Sequence, residues 1–208
     1  MKRFFSLAIL LMAAFGSAMA QDVQVHYDLG HSLYKDLSSR MSVTTTVEMF
    51  KPDTWGSTFM FTDIDYKRDG AIGAYWEISR EFNLSKNKQW AAHVEYNGGA
   101  GTNLKDGAYV GNRYQHAVLL GGAWNWASKG LCTFDGFCDV WYNPNVKGKL
   151  IMISEPQFWF NLNTLKGMKN VNLSLGSEVE LSNNFVYNDE GKNNRFYAIP
   201  TIAAKWTF

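Results

Sequence analysis

Apolar and polar side chains alternate along this chain in short runs with a period of two, and no stretch sustains the 3.6-residue period of an amphipathic helix. The last run is the plainest. Phe196, Ala198, Pro200, Ile202, Ala204, Trp206 and Phe208 share one face, and Tyr197, Thr201, Lys205 and Thr207 share the other. Nine further runs alternate in the same way: 23–29, 42–49, 57–66, 71–82, 89–97, 115–127, 133–142, 150–161 and 171–181. The pattern predicts an all-β, antiparallel protein of about ten strands, with twelve possible. Pro156 and Pro200 fall inside predicted strands, where each removes a ladder donor, and a β-bulge is the expected remedy.

Residues 1–20 do not fit this pattern. Lys2 and Arg3 precede an apolar run that ends in Ala18-Met19-Ala20. A basic start, a short apolar core and a small-x-small site describe a cleaved secretory signal peptide, which leaves 21–208 as the one folded domain. Without Lys2 and Arg3, 18 basic residues face 19 acidic ones, so no overall charge points to nucleic acid.

Aromatic residues make up 15% of the chain, and no second apolar run is long enough for a spanning helix. A strand that runs to an aromatic carboxy-terminus with an apolar outer face suits a transmembrane β-barrel closing on its first strand. An even strand number places both termini on one side of the membrane. The connectors on that side, such as 51–56 and 83–88, are short, whereas 98–114 and 183–195 on the far side are long and rich in Gly, Asn, Asp and Lys. This is the asymmetry of an outer-membrane barrel, whose expected partner is outer-membrane lipid and whose expected state is a monomer.

If the apolar faces meet lipid, the opposite faces line a lumen. Asp28, Glu48, Asp63, Asp65, Glu77, Glu81, Glu95, Asp135, Asp139, Glu155, Glu178 and Glu180 then point inward, with essentially only Lys205 among the bases. Clustered carboxylates in a low-dielectric channel repel phosphates. The inward aromatics Phe59, Phe61, Tyr75, Phe137, Trp141, Trp159 and Tyr197 offer stacking faces beside hydrogen-bond acceptors. That mixture suits a neutral, hydroxylated, planar solute. The candidate contacts are Phe59, Phe61, Asp63, Asp65, Tyr75, Glu77, Phe137, Asp139, Trp141 and Glu155. A narrow barrel whose interior is filled by its own side chains accounts for the same residues.

Four blocks carry a resemblance. Glu155-Pro156, Asn172-Leu173-Ser174-Leu175-Gly176, the run Asn183-Asn184-Phe185-Val186-Tyr187 with its Gly-, Asn- and Arg-rich loop, and the stretch from Trp55-Gly56-Ser57 to Asp63-Ile64-Asp65-Tyr66 are similar to the Tsx-like nucleoside-specific outer-membrane channels. The resemblance implies an outer-membrane barrel that passes nucleosides through a narrow, aromatic-lined channel. At ten strands the lumen would be tighter than the family's twelve-stranded one.

Other chemistry is less well supported. Cys132 and Cys138, six apart on one extended strand, would stand about 20 Å from each other and could not bond, whereas a tight hairpin turn at Asp135-Gly136 would allow a bridge and change the strand count. His31, Asp69, His93 and His116 match no metal or triad spacing, and no phosphate loop or nucleophile elbow is present. No catalytic residue, metal or cofactor is therefore expected. A closed structural or adhesive barrel acting through its loops, and an outer-membrane barrel hydrolase, are the alternative functions.

Overall fold

The computed structural model describes residues 22–68, 70–85, 91–103, 107–113, 120–128, 130–142, 150–186 and 195–208. The expected leader, Asp69 and His116 lie outside them. The described chain is almost entirely strand: β1 (Asp22–Asp28), β2 (Val43–Pro52), β3 (Gly56–Lys67), β4 (Gly70–Asn83), β5 (Ala91–Asn103), β6 (Gly107–Arg113), β7 (Leu120–Ser128), β8 (Cys132–Tyr142), β9 (Leu150–Ser154), β10 (Gln157–Asn161), β11 (Leu173–Asn183) and β12 (Phe196–Thr207). One four-residue helix, α1 (Gly30–Leu33), and two short 3-10 turns complete it. Among the described residues no helix is long and apolar enough to cross a membrane.

All pairings are antiparallel and join the strands into one sheet. The first and last strands pair directly, from Asp22 opposite Thr207 to Asp28 opposite Thr201, so the two ends of the described chain lie together. The outermost strands of the sheet are β6 and β7, which are neighbours in sequence.

The strand count differs from expectation by one added run. Residues 98–114, expected as a long loop, are largely strand: β5 continues to Asn103 and pairs with β6, from Asn97 opposite Arg113 to Asn103 opposite Gly107. By contrast, β9 and β10 are two halves of the one run expected over 150–161, because they hold a single register against β8 and against β11 on both sides of Glu155-Pro156. Eleven extended runs would leave the termini at opposite ends if every successive run reversed. They lie together because the chain of antiparallel pairings gives β6 and β7 the same direction.

No bulge accompanies either proline. Pro200 stands opposite Leu29, one residue past the end of β1, and its carbonyl accepts from the Leu29 N–H at 3.1 Å. Pro156 sits where β9 gives way to β10, and its carbonyl accepts from the Val179 N–H at 3.0 Å. Each missing donor falls where the ladder has already ended, so the register is kept. The register between β3 and β4 shifts once, at Asp65/Tyr66.

The sheet is curled. Neighbouring strands are spaced by about 4.8 Å, so β4 and β8 would be roughly 34 Å apart in a flat sheet when counted through β1. Yet Glu77 on β4 and Asp139 on β8 interact through their charges, as do Asp139 and His93 on β5. The face that carries Glu77 and Asp139 therefore looks onto itself.

At the β2–β3 turn, Asp53 Oδ1 accepts from the backbone N–H groups of Trp55 and Gly56 at 2.8 and 2.9 Å, and Arg80 donates to both carboxylate oxygens at 2.7 and 3.0 Å. The Arg80 hydrogen bonds first, and then those two amides, hold the Asp53 carboxyl well below the usual range. A carboxyl depressed on folding contributes stability above its unfolded pKa of about 3.9, and that stability is lost only as the pH falls through the lowered value. Carbon-detected NMR titration of Asp53 should show a midpoint below that of an ordinary aspartate, and Arg80→Gln should move it upward. An unshifted midpoint would contradict the turn geometry.

Candidate functional site

The register assigns each strand's two faces, and the inner face is the one expected. Thr46 opposes Asp63, Asp63 opposes Tyr75, and Phe61 lies between Glu48 and Glu77. Burial is inverted relative to a soluble protein. Along β1, Asp22, Gln24, His26 and Asp28 are buried, while Val25 is 47% exposed; on β12, Ile202 is 65% exposed. On β1 the polar face is covered and the apolar face is not, and large apolar groups that are covered, such as Ile153, Trp159 and Ile199, lie on the inner face.

One wall of the interior is aromatic. Phe59 and Phe61 on β3 and Tyr75 on β4 form a continuous row, with successive ring centroids 5.7 Å apart and tilted at 42° and 49°. Alternation on β3 puts both phenylalanines on the same side, and pairing with β4 brings Tyr75 alongside. The Tyr75 hydroxyl donates to Glu77 at 3.2 Å. Thr46 and Thr44 on β2 donate to Asp63 at 2.6 Å and to Asp65 at 2.8 Å, which orients both carboxylates and leaves acceptor capacity free.

The opposite wall comes from β8 and β9. Asp139 interacts through charge with Glu81, Glu95 and His93, and the His93 ring itself lies 3.6 Å from Glu81 and 3.3 Å from Glu95. Glu155 interacts with Asp63, Glu178 and Glu180. Trp141 meets Phe185 edge-on at 6.1 Å, so it packs against the β11–β12 connection. The Phe137 carbonyl accepts from the Ser154 hydroxyl at 2.7 Å and from the Glu155 N–H at 3.2 Å.

Of the ten predicted residues, Phe59, Phe61, Tyr75 and Glu77 form one contact set. Asp63 faces Glu155 across the interior, and Glu77 faces Asp139. Asp65 stays with Thr44 beside the register shift, and Trp141 belongs with Phe185. Cys132 and Cys138 are both free, as the extended reading of β8 requires.

Two features were not in the predicted set. The connection between β1 and β2 turns inward and brings a second base. Arg40 Nε donates to Asp28 and its Nη2 donates to Glu180, both at 2.6 Å, which corrects the expectation of an interior with Lys205 as essentially its only base. Leu37 of the same segment, 1% exposed, packs on Tyr197 and Ile199 with Tyr34 and Val186 beside them. Asp36 accepts from Tyr197 at 2.7 Å and from Arg195. No periodicity marks such a connector, so alternation could not have revealed it.

The other feature is Trp159. It is wholly buried and lies in a row with Gly176, Ala203 and His26 across β10, β11, β12 and β1. The two small residues leave room for its ring to reach His26 edge-on at 6.1 Å, while the Lys205 ammonium stands 4.2 Å from its centroid. Chemically, the interior can accept hydrogen bonds, attract positive charge and stack flat rings. Among the described residues, no group of three or more His, Cys, Asp or Glu is arranged to hold a metal ion.

Comparison with curated proteins returns no match, and neither does comparison with solved structures. The family model described as Domain of unknown function (DUF5020) matches residues 20–131 and 127–208. Matched over nearly all of its length, the chain belongs to the DUF5020 family.

Proposed function

We propose that this protein is an outer-membrane β-barrel, exported by its first twenty residues, that binds and passes small neutral hydroxylated solutes, with nucleosides the first class to test. The inverted burial carries the reading: an all-β chain that covers Gln24, His26 and Asp28 and exposes Val25, Tyr27, Ile202 and Trp206 is suited to lipid outside and polar solute inside. The curl of the sheet supports closure, since its two outermost strands are consecutive in sequence. Carboxylates on both walls disfavour anions, and the Phe59–Phe61–Tyr75 row offers a stacking surface beside Glu77 and Asp63. The similarity to Tsx-like channels in the blocks around Asp63 and Gly176 points the same way.

A second reading is a closed barrel that acts through its outer connections. It is favoured by the packing of Trp159, Leu37 and Tyr197, which fills the interior along β12 and β1.

The full chain, expressed in a Gram-negative host, should fractionate with the outer membrane as a heat-modifiable band. Reconstituted in liposomes, it should take up uridine saturably and uridine monophosphate at least about tenfold more slowly, as expected when a fixed negative lumen opposes a charged solute. Asp63→Asn, Asp139→Asn and Trp141→Ala should each weaken uridine uptake. Recovery in the soluble fraction would remove the membrane reading, and a folded barrel that passes no solute would leave the closed barrel.

A further inference from the structure

A separate cavity opens at the end of the sheet where the termini meet. It encloses about 520 Å³, within the range of small-molecule sites. Its lining includes Asp22, Thr133, Trp159, Asn161, Ser174 and Lys205, so it shares none of the ten residues of the predicted site. Lys205, Ser174 and Asn161 fall in one register row across β12, β11 and β10, which aims all three into the same space.

The lining is preorganised and only partly satisfied. Asn161 spends both of its amide N–H donors: it donates to the Gly130 carbonyl at 2.7 Å and to Thr133 Oγ1 at 2.9 Å, and it accepts from Ser174 Oγ at 2.7 Å. This leaves a hydroxyl hydrogen on Thr133 and lone pairs on Ser174 to face the cavity. Lys205 is seated on the Trp159 ring and makes no hydrogen bond or ion pair with any described residue, so its three N–H donors are unspent. Asp22 uses one oxygen for the Gln24 amide at 3.0 Å and keeps the other.

Charge decides which ligand suits this set of donors and acceptors. Asp22, Glu48, Asp135 and Glu178 all lie within reach of Lys205, so an anion drawn to the ammonium would also meet carboxyl groups that have no hydrogen to spare for it when ionised. The ammonium itself disfavours a cation. Alternating donors and acceptors with opposed charges match a ligand whose groups each both donate and accept, which is a hydroxyl-rich neutral molecule.

We propose that this mouth is a binding subsite for the sugar moiety of a neutral polyhydroxylated solute. Lys205 and Thr133 donate to its hydroxyls, and Asp22 and Ser174 accept from them. The subsite rests on the channel reading only for its purpose, as a docking station at one end of the solute path.

Saturation-transfer NMR on the folded, detergent-solubilised full chain tests it, with uridine and methyl β-glucoside as probes and uridine monophosphate and butylamine as controls. Sugar protons of both neutral probes should saturate, and both controls should bind more weakly. Lys205→Met should lower affinity about tenfold, in line with loss of a charge-assisted hydrogen bond. The double variant Thr133→Val with Ser174→Ala should do the same. Saturation confined to the uracil ring, tighter binding of the monophosphate, or equal affinity in both mouth variants would overturn the proposal. Uridine flux without mouth binding would remove the subsite alone; mouth binding without flux would remove the channel reading and leave the subsite standing.

Discussion

Arg40→Met is expected to destabilise the folded protein by about 3 kcal/mol, the lower end of the cost of removing one partner from a buried ion pair. The lower end applies because the Arg40 side chain is partly open to solvent while those of Asp28 and Glu180 are nearly covered. Burial by itself opposes the guanidinium's charge, and Glu180 and Asp28 outweigh that opposition, so the group is held protonated. Asp28 Oδ1 also accepts from the Gly30 N–H at 2.6 Å, and Glu180 Oε1 accepts from Ser182 at 2.7 Å. Each carboxylate is therefore fixed in place and cannot turn toward water when its partner is lost. Methionine keeps the volume and removes only the charge and its donors. Arg40→Lys should recover part of the loss, since an ammonium cannot reproduce a fork that reaches two carboxylates at once. Adding Glu180→Gln to Arg40→Met should recover part as well, by removing one stranded charge. Reversible urea unfolding in detergent measures all three. An Arg40→Met midpoint within experimental error of the parent would show that water screens these charges, and the inward seat of the β1–β2 connection would then have to depend on Leu37 and Tyr34 alone.

Strand alternation was legible wherever side chains differ on the two faces. Along β3 and β4, Phe59, Phe61, Asp63, Tyr75 and Glu77 fell on the face to which the register assigns them, because each strand carries its own contrast between carboxylates and aliphatics. The β5–β6 pairing was missed for the converse reason. Gly98-Gly99-Ala100-Gly101 offers almost no side chains whose period could be read, and the pairing there is carried by backbone. A Cβ on Gly98 would lie 2.6 Å from the Trp76 ring, so the lack of a side chain that reads as a loop is what lets the strand pack. The prolines misled in a different way. A bulge is needed only where a ladder would otherwise continue, and whether it continues past Leu29 or across Glu155 depends on the neighbouring strand. Arg40 was illegible in principle, because its role comes from a tertiary approach that no local pattern encodes. In the candidate site, membership of the inner face could be read from the sequence, whereas Trp141 pairing with Phe185 and Glu155 facing Asp63 required the sheet to be curled.

Gly176→Ala is expected to cost about 3 kcal/mol, the upper end of ordinary overpacking. Gly176 lies under the Trp159 ring between β10 and β12, and a Cβ there would stand 2.0 Å from the Phe158 carbonyl oxygen and 2.7 Å from a carbon of the Trp159 ring. Real Cβ atoms do not approach a backbone oxygen that closely, so β10 and β11 would have to separate, which stretches the ladder that pairs Trp159 with Gly176. Trp159 would also lose its course toward His26, and Lys205 would lose the ring on which its ammonium rests. The two clashes can be separated. Trp159→Leu in the Gly176→Ala background relieves the contact with the ring and leaves the contact with the Phe158 oxygen. Because the shorter distance is to backbone, the double variant should regain little stability over Gly176→Ala alone. Unfolding midpoints of the parent and of these two variants decide between the contacts. Full rescue by Trp159→Leu would mean that β10 yields easily next to Glu155-Pro156, and that this interrupted strand is compliant where the register makes it look continuous.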